Sequence, residues 1–176
     1  LDLSGSPVTR SADFSGMEDL AAMPSFLFVF LGDTIEKLNF SGTSIEDWHP
    51  GIRYMRTEGN LHQIDLSYTR ISYLPPCVLR NTGCSLSNEL NKREIKLELL
   101  DLTNTPVSSK LDWSNHALGQ HTNALVSELS NWLPGLKHLV LAGNKMEGLP
   151  TSLARFSGMT YLNMSCNRQL AKNRTG

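Results

Sequence analysis

Chemistry needs particular side chains at particular spacings, and this chain has five histidines, three cysteines and seventeen carboxylates to draw on. The histidines are His49, His62, His116, His121 and His138. His116 and His121 miss the i, i+4 spacing of a zinc-protease helix, and no glutamate stands beside them in the required place. Cys77 and Cys84 are too far apart for a C-x-x-C half-site, and no second half-site follows. Gly32-Asp33-Thr34 reads as a turn, not as a glycine-rich phosphate cradle. No motif places a serine on a strained elbow between strand and helix. The sequence therefore predicts no catalytic, cofactor-binding or metal-ligating residues, and a non-enzymatic role.

What recurs instead is an alternation of leucine-type and small polar residues. The fullest copy is Leu136-x-x-Leu139-x-Leu141-x-x-Asn144-x-Met146-x-x-Leu149-Pro150. Others are Ile35-x-x-Leu38-x-Phe40-x-x-Thr43-x-Ile45, Leu61-x-x-Ile64-x-Leu66-x-x-Thr69-x-Ile71 and Leu97-x-x-Leu100-x-Leu102-x-x-Thr105-x-Val107. Met159-x-x-Leu162-x-Met164-x-x-Asn167 closes the series, and Leu1-Asp2-Leu3-Ser4-Gly5-Ser6 reads as its first member. In each copy the alternation makes a short strand with one dry and one wet face.

This pattern resembles the leucine-rich repeat family. The resemblance implies an α/β fold, a solenoid with a curved parallel β-sheet on its concave face and helices and irregular turns on its convex face. One such unit cannot bury its apolar face alone and must stack on its neighbours. In the family an asparagine ends the pattern and bonds to backbone of adjoining turns, using two donors and an acceptor. Here that slot holds Ser6, Thr43, Thr69, Thr105, Asn144 and Asn167. A hydroxyl offers one donor, so the ladder is expected to persist in weaker form.

The expected organisation is one repeat domain over residues 1–176, with strands near 1–4, 37–41, 63–67, 99–103, 138–142 and 161–165. The intervals between Leu1, Leu38, Ile64, Leu100, Leu139 and Leu162 are 37, 26, 36, 39 and 23 residues. The long ones exceed the ordinary repeat of roughly 20–29 residues, so they hold insertions or longer convex elements. The clearest insertion lies near 77–93. Leu125, Leu129, Trp132 and Leu133 mark one helical face, and Pro24 opens an apolar run read as a buried convex element. Trp48 and Trp113 are placed at the edge of the convex layer. The array is expected to be incomplete at both ends.

Alternation also nominates the residues on the concave face. The central row reads Asp2, Asn39, Asp65, Asp101, Val140 and Asn163. The row after it reads Ser4, Ser41, Ser67, Thr103, Ala142 and Ser165, and the row before it Lys37, Gln63, Leu99, His138 and Tyr161. Small Asp and Ser residues suit the strand exit, whereas the preceding row mixes a cation, an amide, an aliphatic, an imidazole and a phenol. Mixed chemistry of that kind suits an interface. The expected partner-binding residues are Lys37, Gln63, Asp65, Leu99, Asp101, His138 and Tyr161.

The formal net charge of −1 gives no basic footprint for nucleic acid, and no small-molecule substrate is expected. Cys77 and Cys84 could close a disulfide loop in a secreted protein; Cys166 is expected to be buried or half-buried. Asn39, Asn163 and Asn173 begin glycosylation triplets. By resemblance, the function is recognition of another protein by a solenoid within a larger receptor or scaffold. The alternative is the targeting arm of an intracellular kinase or ubiquitin ligase, and a structural or adhesion role is a third reading. The compartment stays open between these, and any membrane attachment would come through segments outside the chain.

Overall fold

The computed structural model describes residues 10–25, 34–47, 61–71, 97–106, 129–130, 133, 135–144, 146, 149 and 151–167. They contain six three-residue strands: β1 (Ser11–Asp13), β2 (Lys37–Asn39), β3 (Gln63–Asp65), β4 (Leu99–Asp101), β5 (His138–Val140) and β6 (Tyr161–Asn163). The strands form one open sheet in sequence order, and each pairs in parallel with the next. Parallel neighbours need a crossover between them. When every crossover advances by one strand, the chain winds as a solenoid.

Each turn of the winding buries the same positions. The strand centres Ala12, Leu38, Ile64, Leu100 and Leu139 point inward and are buried. Two residues on, Phe40, Leu66, Leu102 and Leu141 do the same, and Phe14 stacks on Phe40 with ring centroids 5.2 Å apart. Ile35, Leu61, Leu97 and Leu136 close the core before the strands; Ile45, Ile71 and Met146 close it after them. All belong to one apolar cluster with Leu129, Leu133 and Phe156. Burying one such side chain is worth roughly 1.5–3 kcal/mol, and no single repeat could collect it alone. Among the described residues the layer behind the sheet holds a helical bond from the Leu133 amide to the Leu129 carbonyl and a 3-10 helix at Thr151–Arg155. The fold is a leucine-rich repeat solenoid.

Backbone bonds continue the winding beyond the strands. The Phe40, Leu66, Leu102 and Leu141 amides each donate to the next strand's last carbonyl, at 2.8–2.9 Å. Further on, one residue per repeat takes a left-handed backbone: Gly16, Gly42, Tyr68, Asn104, Gly143 and Cys166. From Gly16 to Gly143, the amide of each donates across to the neighbouring repeat. Glycine suits this slot best. At Gly143 an added Cβ would collide with the Asn104 carboxamide beside it.

The terminal polar slot works in two ways. Asn167 sends its amide to the Leu141 carbonyl of the preceding repeat (2.8 Å) and to Met164 (2.9 Å), while its oxygen accepts from the Asn144 and Met146 amides. Asn144 likewise reaches back to the Leu102 carbonyl at 2.7 Å. Among the described residues the threonines do not reach across. Thr43, Thr69 and Thr105 donate their hydroxyls to Phe40, Leu66 and Leu102 of their own repeats. The weaker cross-repeat ladder expected from these hydroxyls is thus replaced by a staple within each repeat.

Three sequence expectations change. The neighbour of β2 is Ser11–Asp13, so Asp13 and not Asp2 faces Asn39; residues 1–4 lie outside the described residues. The pattern hid β1 because its inward centre is the small Ala12 and its terminal slot holds Met17, an exposed residue. Cys166 is exposed, because the left-handed turn it occupies faces outward. Ser67 and Ala142 are buried, since the chain has begun to turn between repeats there. Cys77, Cys84, the 77–93 insertion, Trp48, Trp113, His116, His121, Asn173 and most of both helical runs lie outside the described residues.

Candidate functional site: the open face of the sheet

One face of the sheet packs on the core, and the other carries the first and third side chains of each strand triplet. Register aligns them across strands. Lys37, Gln63, Leu99, His138 and Tyr161 stand opposite one another in one continuous row, preceded by Ser11. Lys37, His138 and Tyr161 are exposed; Gln63 and Leu99 are half-buried. The His138 and Tyr161 rings lie against each other, with centroids 5.7 Å apart at a tilt of 42°. All five are residues that the sequence singles out, and the fold brings them together on neighbouring strands about 4.8 Å apart.

The second row is Asp13, Asn39, Asp65, Asp101, Val140 and Asn163. Its polar members share one local task. Each turns an oxygen onto the amide two residues ahead: Asp13 to Ser15, Asn39 to Ser41, Asp65 to Ser67, Asp101 to Thr103 and Asn163 to Ser165, at 2.8–3.0 Å. This is the Asx turn that short polar residues make where a strand ends. It accounts for why Asp65 and Asp101 are short and polar. The bond from the Ser15 amide also holds the Asp13 carboxyl below its ordinary range.

The row on the flank of the face consists of Arg10, Glu36, His62, Glu98 and Lys137. Here charges meet their opposites: Arg10 with Glu36 at 3.5 Å and Lys137 with Glu98 at 2.7 Å. The Lys137 hydrogen bond lowers the Glu98 pKa, and Lys137, His62 and His138 add their positive fields. No ion pair engages Asp65 or Asp101 among the described residues.

Tyr68 is the residue that the repeat pattern alone did not nominate. It is 60% exposed and has φ of 58°. A bulky side chain in the left-handed region is uncommon and costs energy. The signal was available: aligned repeats put Tyr68 where Gly16, Gly42 and Gly143 stand.

No protein-family model matches the chain, and no curated protein sequence does. Several solved structures are similar in outline, among them the following two. A leucine-rich repeat protein of Leptospira interrogans is 16% identical, with a TM-score of 0.42 over 92% of this chain and 47% of its own. The functional domain of InlJ from Listeria monocytogenes, which includes a cysteine ladder, is also 16% identical, with a TM-score of 0.38 over 97% of this chain and 37% of its own. The chain thus spans less than half the length of either. Among the described residues no group of three or more His, Cys, Asp or Glu side chains could hold a metal, and no helix is long and apolar enough to cross a membrane.

Proposed function

We propose that this solenoid recognises another protein through the open, concave face of its sheet, without chemistry of its own. The observation that carries the reading is the aligned row Lys37–Gln63–Leu99–His138–Tyr161, in which five different side-chain chemistries share one surface. Tyr161 is 49% exposed although it is large and apolar, and His138 packs against it. Aromatic side chains held in place at low entropic cost are what interface centres are made of. Asp65 and Asp101 contribute charge beside the row. The solenoid serves as the binding part of a larger receptor or scaffold; targeting of an intracellular signalling enzyme would use the same face.

The test is a photo-crosslinking scan of the full chain in extracts of its own source. A photoreactive amino acid is placed in turn at Leu99 and Tyr161 on the face, and at Glu18 and Arg155 off it. The reading requires one discrete polypeptide to crosslink from the face positions and not from the others. Equal capture from all four positions, or none from the face, would refute it.

A further inference from the structure

The six strands wind alike but are not buried alike. Leu38, Ile64, Leu100 and Leu139, the inward centres of β2 to β5, are 0–3% exposed, each with the next strand beside it. Leu162, the inward centre of β6, is 38% exposed, and Met164 two residues on is only partly buried.

The backbone is open along the same edge. The Tyr161 amide donates to the Lys137 carbonyl, and the Asn163 and Ser165 carbonyls accept from Leu141 and Gly143. Residues 161, 163 and 165 thus turn backbone groups toward β5, and the residues between them turn theirs the other way. In the preceding repeat the matching groups are used: the Leu141 amide reaches Asn163, and the Lys137 carbonyl accepts from Thr160 and Tyr161. On β6, among the described residues, the Met164 amide, the Thr160 carbonyl and both backbone groups of Leu162 have no partner.

A third observation is independent of these. Edge strands are ordinarily kept from pairing by charges, prolines or bulges. From Phe156 to Asn167 the chain has no Asp, Glu, Lys, Arg or Pro. The opposite edge differs: Arg10 precedes β1, Asp13 ends it, and its centre Ala12 is buried. That edge offers no apolar surface to Leu162. An uncharged, apolar edge is complementary to itself, because no like charges meet when two of them come together.

The geometry points to a second copy of this chain as the occupant of the β6 edge, paired antiparallel about a two-fold axis at Leu162. In that register each Leu162 amide donates to the Leu162 carbonyl of the other copy, and each Met164 amide to the Thr160 carbonyl. Every open group named above is then used. The axis stands perpendicular to the sheet, so the Leu162 side chains meet on the core side and the two open faces share the other. Two six-stranded sheets become one continuous sheet. Isologous pairing closes at two copies. The contact is one strand long, so the dimer forms only as concentration rises.

Sedimentation equilibrium of the full chain under reducing conditions tests this. The wild-type mass rises with concentration from that of one chain and levels off at that of two. Leu162→Lys sets like charges against each other at the axis and stays at the mass of one chain. Met17→Lys alters another exposed apolar residue, in the β1 repeat, and leaves association unchanged. Leu162→Cys keeps a compact apolar side chain and serves as the second measurement. Residues directly opposite in such a pair have Cα atoms about 5.5 Å apart, within disulfide reach. Under mild oxidation this variant gives a bridge between the two copies of position 162, identified by peptide mapping, whereas Met17→Cys gives none at 17. A wild type that stays single at every concentration, a mass that climbs past two chains, or equal bridging from positions 17 and 162 would overturn the proposal.

Discussion

The two halves of this solenoid hold their repeats together differently. In the repeats of β5 and β6 the terminal slot is asparagine, and each side chain spans the gap to the repeat before it. In the repeats of β2, β3 and β4 the slot is threonine, and among the described residues each hydroxyl bonds within its own repeat. The difference is one of reach and valence. A carboxamide extends one atom further than a hydroxyl and carries two donors and an acceptor, whereas threonine has a single donor. Asn167 therefore bonds to five backbone groups in two repeats, and the Thr69 hydroxyl to one. Besides backbone bonds and apolar packing, the threonine half has the Ser41–Ser67 hydroxyl bond between repeats, whereas in the asparagine half the terminal slot itself spans the gap.

The comparison can be broken most forcefully at Asn167. Asn167→Ala leaves the buried Asn144 and Met146 amides and the Leu141 carbonyl without this partner, and is expected to cost about 3–5 kcal/mol in denaturant unfolding. A cost near 1 kcal/mol would mean that the asparagine bridges matter no more than the threonine staples.

Gly143→Ala comes next. It forces a Cβ into a left-handed residue and against Asn104, at an expected cost of about 1–2 kcal/mol in the same assay. No loss would show that the turn between the two halves yields easily.

Thr69→Val is expected to cost only about 1 kcal/mol, since it removes one local bond and keeps the shape. A loss matching that of Asn167→Ala would abolish the distinction.

The smallest effect belongs to the Glu98–Lys137 pair, which crosses from the last threonine repeat to the first asparagine repeat. The Lys137 hydrogen bond holds Glu98 below its ordinary value of 4.5. A depressed carboxyl pKa stabilises the fold above the unfolded value, and that contribution disappears as pH falls through the folded one. Both groups are exposed, so solvent screens the pair strongly. Melts of wild type and Lys137→Gln should differ slightly at neutral pH and converge below about pH 4. A gap that persists in acid would assign the difference to packing of the lysine stem.

The fold was legible because leucine spacing and strand geometry express the same constraint. A residue such as Leu100 is apolar because the chain turns it inward, and Leu102 follows because the strand period is two. β1 escaped because alanine at position 12 and methionine at 17 carry little of that signal. The row from Lys37 to Tyr161 could be drawn from the sequence because register in a solenoid follows the repeat. The reach of the threonines could not. Whether a hydroxyl reaches the next repeat depends on a fraction of an ångström that residue type does not encode. That Tyr68 would hold the left-handed slot could be read only by aligning it with Gly42 and Gly143, because tyrosine is not itself a turn residue.

The central claim is that the open sheet face recognises a protein, and Leu99 and Tyr161 test it together. Both side chains lie outside the apolar core cluster, so replacing them should not disturb the winding. The measurement is the affinity of the L99A, Y161A double variant for the crosslinked partner, taken with its melting temperature in the same preparation. The account predicts that affinity falls at least about tenfold, as for truncated interface anchors, while the melting temperature stays within about 2 °C of wild type. Unchanged affinity, or a loss of affinity that only follows a collapse in melting temperature, would contradict it.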